Sequence, residues 1–280
     1  MGKLENKAIF EDSMDLCLTS RKLNQSIILS MSKMEFIPES SAVTPNLNRF
    51  EDDASVIVSN KRTLQAASYY KTGRTAVLNF ASATNPGGGV TKGSSAQEEA
   101  LCRISTLYKI LDTKSAMNSF YKPHRESKNP IHNADIIYIP NITVFKSDSS
   151  SPELLPENEW YFVDVISCAA PNLRRVPSNP YNTGDGILPA NLTDIELYTI
   201  HVQRLTKVLE VASAHEVDNI ILGAWGCGAF ENKPDVVARA ARDTIQKFSH
   251  AFKTIEFAVF DKANGTNYNT FNRVIKPTNH

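Results

Sequence analysis

The sequence of 280 residues lacks any uninterrupted apolar run near the length of about 20 residues that a membrane-spanning helix needs. Its N-terminus also lacks the apolar core and small-residue cleavage site of a secretory signal. We therefore expect an intracellular protein without a membrane partner, cytoplasmic or, if the source is eukaryotic, nuclear. A hydrophobic content of 41% and a mean hydropathy of −0.28 are typical of a globular rather than a disordered chain.

The formal net charge is zero, because 30 lysine and arginine residues balance 30 aspartate and glutamate residues. The charge of the whole protein therefore provides no long-range attraction to a polyanion, and we expect no direct sequence-specific binding of nucleic acid. An anionic ligand must be held by a local site.

Paired cysteines are absent as well. Cys17, Cys102, Cys168 and Cys227 are far apart and form no CxxC pair, which fits neither a zinc site nor a disulfide framework. We predict four reduced thiols, no metal and no cofactor, since no cofactor motif is present either. The histidines form no recognisable constellation and are interpreted as surface or core residues: His124, His132, His201, His215, His250 and His280.

Short apolar runs alternate with segments of helical periodicity, which predicts an α/β layered fold with a largely buried sheet. Strands are predicted at residues 56–58, 75–81, 136–140, 160–167, 220–223 and 255–260. Helices are predicted at residues 5–30, 62–70, 96–111, 197–212 and 234–248. Two stretches rich in Ser, Pro, Asn or Gly are interpreted as surface loops, residues 147–157 and 171–191. The length predicts a single domain over residues 1–280, and we expect a monomer.

The most informative stretch is residues 79–103, NFASATNPGGGVTKGSSAQEEALCR. An apolar strand ends near Ala81, a loop with three successive glycines follows, and a helix begins close to Gln97. This order places the loop at the carboxyl end of a strand, where open α/β folds bind ligands. Glycines permit positive φ angles and can present a concave surface of N–H groups to an anion.

A second glycine loop follows the strand predicted at residues 220–223. Gly223, Gly226 and Gly228 precede a helix that begins near Pro234, which repeats the order strand, glycine loop, helix. Their spacing, GxxGxG, differs from the GxGxxG of Rossmann folds. Taken alone, glycines also fit tight turns, and acidic residues at the start of a helix also fit helix capping.

The combination of GGG, seven further residues and then QEE resembles the GGG-x(6–8)-QEE signature of poly(ADP-ribose) glycohydrolases, in particular their short microbial-type branch. The likeness extends through NFASATNPGGG, ALCRISTLYK and VISCAAPN, and it is strong in LGAWGCGAFENKP at residues 222–234. The resemblance implies hydrolysis of the ribose–ribose O-glycosidic bonds of poly(ADP-ribose), with release of ADP-ribose. It also implies a macrodomain-like, three-layer α/β/α fold with a mixed central sheet and extra N-terminal helices within residues 1–50.

Two carboxylates stand at the start of the predicted helix. Glu98 and Glu99 should point roughly 100° apart, so we expect them not to flank one bond as the carboxylates of most glycosidases do. The resemblance assigns the acid/base role to Glu99 and hydrogen bonds to ribose hydroxyls to Glu98. A helix N-terminus lowers a carboxyl pKa, but we expect burial, Glu98 and the diphosphate to raise the pKa of Glu99 when ligand is bound.

The resemblance also implies a set of binding residues. Asn85 reaches a ribose hydroxyl or, alternatively, forms a turn before Pro86, and Gln97 supports the loop. The backbone N–H groups of the second loop wrap the diphosphate, and Phe230 packs on the distal ribose. No motif identifies the adenine platform, which we expect from the N-terminal region. The predicted loop residues are Gly87, Gly88, Gly89, Gly226, Cys227, Gly228 and Ala229.

Two alternatives keep the same ligand. One is a macrodomain that binds ADP-ribose without catalysis, although binding a diphosphate gives no reason for a second carboxylate. The other is a hydrolase of mono-ADP-ribose on protein, nucleic acid or a small molecule. The chain lacks the large regulatory region and the tyrosine-bearing clasp of the animal enzymes, so we expect cleavage from the free end of a polymer carried by modified proteins.

Overall fold

The computed structural model describes residues 2–262 and 265–275. Within them seven strands form one sheet: Glu35–Ile37 (β1), Ser55–Ser59 (β2), Thr75–Phe80 (β3), Ile136–Val144 (β4), Tyr161–Cys168 (β5), Asn219–Leu222 (β6) and Thr254–Ala258 (β7). The strands lie in the order β1-β4-β5-β3-β6-β7-β2. Neighbours from β5 to β2 run parallel, whereas β4 is antiparallel to β1 and β5. The predicted α/β fold with a mixed central sheet is confirmed.

Helices cover both faces of this sheet. Their bounds are Lys3–Thr19 (α1), Arg21–Ser32 (α2), Thr63–Ala67 (α3), Gln97–Ile104 (α4), Leu107–Leu111 (α5), Lys114–Ala116 (α6), Lys122–Ser127 (α7), Asp194–Ala214 (α8), Pro234–Ile245 (α9) and Thr266–Ile275 (α10). One core contains buried residues of α1 to α6, and the other contains buried residues of α8 to α10.

Strand β3 lies between the two cores and contributes to each. Ala76 and Leu78 belong to the core beneath α8 and α9, whereas Val77 belongs to the opposite core. Successive residues of a strand point to opposite faces, and both faces are covered here. This burial explains why β3 is a continuous apolar run rather than an alternating pattern.

Residues 96–111 form two helices where periodicity predicts one. Helix α4 ends at Ile104, because Ser105 is extended, with φ −144° and ψ 175°, and pairs with Val144. The Oγ of Ser105 accepts a hydrogen bond from Leu107 N–H at 3.2 Å, which satisfies a free donor at the start of α5. The spacing of apolar residues within 96–111 gives no sign of this break, because its cause is pairing with a strand that is distant in sequence.

The helical extension predicted within residues 1–50 is confined to α1 and α2. The two helices are separated at Ser20, whose side chain accepts from Leu23 N–H at 3.3 Å and caps α2. Residues Glu35–Ile37 instead form the edge strand β1, paired with β4. A strand of three residues is too short to show an alternating pattern. The spacing of apolar residues also did not predict the helices α6, α7 and α10.

No helix within residues 2–262 and 265–275 is long and apolar enough to cross a membrane. The four cysteines are free thiols, and three of them are buried.

Candidate active site

Two glycine loops lie side by side at the centre of the sheet. Strands β3 and β6 are adjacent and parallel, so the loops that follow them leave the same edge. Both loops border one cleft of about 710 Å³, which is in the range of small-molecule pockets. Gly88 and Gly89 line it from the first loop, and Gly226 and Gly228 line it from the second.

The first loop requires glycine for steric reasons. Gly87 and Gly88 have φ angles of 63° and 60°, which side-chain-bearing residues rarely adopt. A Cβ on Gly88 would lie 2.6 Å from Glu99 Oε1 and 3.2 Å from Glu98 Oε2. The two carboxyl groups therefore converge on one glycine, although neighbouring helical side chains usually diverge. This arrangement differs from the opposed carboxylates of most glycosidases.

N–H groups of the first loop hold these carboxyl groups. Ser82 N–H donates to Glu98 Oε2 at 2.8 Å, and Gly89 N–H donates to Glu99 Oε1 at 2.9 Å. The sequence predicts a concave N–H surface for an anion of the ligand. In the structure, the groups that these N–H donors bind are the side chains of Glu98 and Glu99.

Burial dominates the electrostatics of the pair, since Glu98 and Glu99 are only 3% and 8% exposed. Burial raises the pKa of Glu98 well above its usual range, and nearby Glu99 raises it further against the opposing N–H of Ser82. Burial also raises the pKa of Glu99, against the lowering effects of Gly89 N–H and Arg103. The raising effects prevail over the N-terminus of α4 without any contribution from a ligand.

The two glutamates differ in whether a carboxyl oxygen is left without a hydrogen-bond partner. Asn79 Nδ2 donates to Glu98 Oε1 at 3.2 Å, so both oxygens of Glu98 accept from the protein. Glu99 Oε2 is buried and has no hydrogen-bond partner among the described residues. Both glutamates line the cleft, and Glu99 is the one that keeps a carboxyl oxygen without a partner among the described residues.

The second loop offers unused backbone donors. Across the described ranges, no hydrogen bond uses the N–H of Gly226, Gly228 or Ala229, and all three residues line the cleft. The N–H of Cys227, which the sequence predicts as a fourth donor, is not among these unused groups. Its N–H donates to Ala224 O at 3.1 Å, and its side chain packs against the core beneath α8 and α9.

Phe230 forms part of the cleft wall, and its packing on the distal ribose stays a prediction. The guanidinium of Arg174 lies 5.5 Å from the centroid of its ring, and Arg174 Nε donates to Ala229 O. Behind the ring, Asn232 Nδ2 donates to Phe230 O at 3.0 Å, and Asn232 Oδ1 lies 2.7 Å from His201 Nε2. His201 therefore serves the packing of this loop, whereas His280 lies outside the described residues.

Asn85 joins two segments of the protein and does not line the cleft among the residues described. Its Nδ2 donates to Thr183 O at 2.8 Å, and its Oδ1 accepts from Arg125 Nη2 and from Thr183 Oγ1 at 2.9 Å each. These contacts hold the two segments together, and the contact of Asn85 with a ribose hydroxyl stays a prediction. Gly87 also stays behind the cleft wall, since a Cβ there would lie 2.8 Å from the ring of Tyr108.

Gln97 fastens the start of α4 to the end of β3. Its Nε2 donates to Leu78 O at 2.8 Å, and its Oε1 accepts from Phe80 N–H at 3.0 Å. The side chain thus sets the position of the helix that carries Glu98 and Glu99, which is a structural role consistent with loop support.

The loop at residues 171–191 is a wall of the cleft rather than a plain surface insertion. Arg174, Asn179, Tyr181 and Asn182 line the cleft from this loop. Sequence reasoning missed these residues, because a loop carries no period. The available signal was its length, since long loops in compact domains are often functional.

A buried carboxylate, Asp185, holds this loop in place. It is 1% exposed and accepts from Thr84 Oγ1 at 3.0 Å and from Asn172 Nδ2 and Asn182 Nδ2 at 2.7 Å each. Burial raises the pKa of Asp185, but nearby His132 and the two amide donors outweigh burial and hold it below its usual value.

This network reaches the paired glutamates through Ser82. The Oγ of Ser82 donates to Asn182 Oδ1 at 2.9 Å, while its N–H donates to Glu98 Oε2. Asp185 therefore positions both the outer loop and the backbone that holds Glu98.

The cleft also contains an exposed aromatic ring that no motif marked. Phe260 follows β7 and is 57% exposed, and the guanidinium of Arg62 lies 4.0 Å from its ring centroid. Both residues line the cleft.

The family model described as the catalytic domain of microbial-type PARG matches residues 7–147, which is half of the chain. PARG stands for poly(ADP-ribose) glycohydrolase. The chain belongs to the microbial-type poly(ADP-ribose) glycohydrolases. The matched region of this glycohydrolase includes the first glycine loop, Glu98 and Glu99, and the second loop follows it.

Solved glycohydrolase structures extend the similarity beyond the matched region. The poly(ADP-ribose) glycohydrolase from Thermomonospora curvata is 28% identical, with a TM-score of 0.80 over 96% of this chain and 98% of that chain. The same enzyme bound to the inhibitor ADP-HPD is 27% identical, with a TM-score of 0.78 over 96% and 98%. The enzyme from Deinococcus radiodurans in complex with ADP-ribose is 30% identical, with a TM-score of 0.71 over 88% and 95%. A comparison with curated proteins found no match.

These similarities confirm three predictions, namely the glycohydrolase family, its macrodomain-like α/β fold and glycosidase activity.

Proposed function

We propose that this glycohydrolase cleaves the ribose–ribose bond at the free end of poly(ADP-ribose) and uses Glu99 as its acid/base. The observation that carries the proposal is the environment of Glu99. One carboxyl oxygen is held by Gly89 N–H at 2.9 Å, and the other is buried without a partner among the described residues, in a cleft between two glycine loops.

The chemistry of the cleft supports one ADP-ribose unit along its length. The free N–H groups of Gly226, Gly228 and Ala229 suit a diphosphate, because backbone donors in a glycine loop bind anions without a counter-charge. The distal ribose then lies between Phe230 and the paired glutamates. The exposed ring of Phe260 suits the adenine, in place of the platform from the N-terminal region that we expect from the sequence.

The raised pKa of Glu99 favours the protonated form that a general acid needs. A carboxyl group that keeps its proton can donate it to the departing ribose oxygen while positive charge develops at the anomeric carbon. The resulting carboxylate then accepts a proton from the attacking water, which restores the acid. Glu98, whose two oxygens are already fixed, accepts hydrogen bonds from the ribose hydroxyls and orients the sugar.

Calorimetry with ADP-ribose, combined with a polymer-hydrolysis assay, tests this assignment in Glu99→Gln. Glutamine retains the oxygen that accepts from Gly89 N–H but carries no exchangeable acid, so we expect ADP-ribose binding with a loss of hydrolysis of about 10² to 10⁴-fold. Glu126→Gln on α7 is a matched control, since Glu126 is exposed and pairs with Lys122.

Four outcomes contradict parts of the proposal. A fully active Glu99→Gln removes Glu99 from the mechanism, and a wild type that binds ADP-ribose without cleaving polymer is a reader. If the enzyme cleaves mono-ADP-ribosylated protein and not polymer, its substrate is mono-ADP-ribose rather than poly(ADP-ribose). Release of ADP-ribose from a polymer with a chemically blocked free end contradicts cleavage from the terminus.

A further inference from the structure

Three side chains from separate segments meet outside the catalytic end of the cleft. Lys3 begins α1, Lys92 follows the first glycine loop, and Tyr181 belongs to the loop at residues 171–191. The Nζ of Lys3 lies 2.6 Å from Tyr181 Oη and 3.9 Å from the ring centroid, and Lys92 Nζ donates to Pro180 O. We call Lys3, Lys92 and Tyr181 the outer rim.

The outer rim adjoins the backbone that holds the proposed acid. A Cβ on Gly89, the residue whose N–H fixes Glu99, would lie 3.2 Å from Tyr181 O. Tyr181 is 39% exposed, whereas Glu99 is 8% exposed. Tyr181 therefore places an exposed ring beside the loop that holds Glu99.

The charges of the outer rim are not neutralised by the protein. Neither Lys3 nor Lys92 forms an ion pair with a carboxylate of the described residues, whereas other exposed cations do, such as Lys7 with Glu11. Lys3 also lowers the pKa of Tyr181, first through their hydrogen bond and then through its charge. Two cations beside one exposed aromatic ring suit a nucleotide, because a base stacks on the ring and phosphates pair with the cations.

We propose that the outer rim binds the second ADP-ribose unit of the polymer, the unit on the leaving side of the cleaved bond. Tyr181 stacks with its adenine, and Lys3 and Lys92 pair with its diphosphate. The proposal rests on the proposed function, since only a polymer places a nucleotide on that side. The rim then makes the enzyme prefer polymer over single ADP-ribose.

Binding measurements in the Glu99→Gln background separate the two units, because polymer stays intact there. The variants are Tyr181→Ala and the double variant Lys3→Ala with Lys92→Ala. The ligands are purified polymer and ADP-ribose, each titrated at several salt concentrations. We expect the ratio of polymer affinity to ADP-ribose affinity to fall about tenfold in each variant. Loss of the lysines should also reduce the salt slope for polymer by about 0.7 per phosphate contact.

Two matched controls come from the same chain. Lys7→Ala removes another exposed lysine of α1, and Tyr69→Ala removes an exposed tyrosine with Lys61 at 4.4 Å from its ring centroid. Both controls should keep the affinity ratio of the parent.

A ratio that stays within twofold of the parent in all rim variants overturns the subsite, and so does a parallel fall for polymer and ADP-ribose. An unchanged salt slope removes the phosphate contacts. Hydrolysis by the wild type is measured alongside. If wild type cleaves polymer and the ratio is unaffected, only the subsite is wrong, whereas a wild type inactive on polymer contradicts the proposed function and the subsite with it.

Discussion

Gly88 has no side chain because two carboxyl groups occupy the space that a Cβ would take. Glu99 Oε1 lies 2.6 Å from that position, and the φ of 60° is unfavourable for other residues. The glycine motif and the glutamate motif are therefore two halves of one packing arrangement. Their spacing in sequence is informative because the loop must return the start of α4 to the glycine.

The pH dependence of stability should report the buried state of Glu99. Its pKa is raised in the folded protein, so the folded state holds a proton that the unfolded state has released above its ordinary pKa of about 4.3. Stability from this group is complete at lower pH and is lost as pH rises through the folded pKa. We expect Glu99→Gln to raise the melting temperature relative to wild type, by an amount that grows from acid to neutral pH.

Scanning calorimetry across this pH range checks the prediction. Glu126→Gln should show no such trend, because its carboxyl group is exposed. A Glu99→Gln protein that is less stable than wild type at neutral pH would show that the ionised carboxylate is favoured in the fold.

At the scale of elements, the loop at residues 171–191 is the one whose structure the sequence predicts least well. Its conformation depends on Asp185, whose hydrogen-bond donors come from residues 84, 172 and 182. Side chains that converge from distant segments leave no local pattern. The same reason explains the break in the predicted helix at Ser105, which pairs with Val144.

Asp185→Asn should weaken this loop and the site together. An amide in place of the carboxylate puts an NH₂ against one of the present donors, so we expect the free energy of unfolding to fall by about 1 to 3 kcal/mol. Because Asp185 acts on Glu98 through Ser82 and Asn182, we expect kcat to fall about tenfold, with a smaller change in KM.

Denaturant unfolding and steady-state kinetics on polymer measure both effects. Asp53→Asn is the control, since the Asp53 side chain is 78% exposed. An Asp185→Asn enzyme that loses stability but keeps its kcat would confine Asp185 to a structural role.

At the scale of the whole molecule, one sheet carries both glycine loops on adjacent strands. Helix α1 packs against α4 and against the segment between the first loop and α4. Asn6 Nδ2 donates to Gly93 O at 3.0 Å, and Ser13 Oγ donates to Arg103 O at 2.6 Å. These contacts favour our proposal that residues 1–280 form a single domain, with the N-terminal helices as an integral part. We also propose that this domain is a monomer.

A single domain should unfold in one transition. We expect equal calorimetric and van't Hoff enthalpies, and a stabilisation of about 2.7 kcal/mol when ADP-ribose is present at 100 times its Kd. Scanning calorimetry measures these quantities, and sedimentation measures the mass. Two transitions, of which ADP-ribose shifts only one, would divide the chain, and a dimer mass would contradict the monomer.

The sequence by itself determined the class of fold, the first glycine loop and the acidic residues at the start of α4. Apolar runs such as residues 75–81 are long enough to mark buried strands, and a strand, glycine loop and acidic helix start fall within one short stretch around Gly88 and Glu99. These features are local, because hydrogen bonding and burial within a few residues set them.

Only the tertiary structure decided which groups are free to act. Asn85 and Cys227 carry suitable chemistry in the sequence, but distant or neighbouring partners already use the Asn85 amide and the Cys227 N–H. Tyr181, Phe260 and Asp185 gain their places from chain segments far away. Long-range packing determines which donors and acceptors remain unpaired, and no local pattern records it.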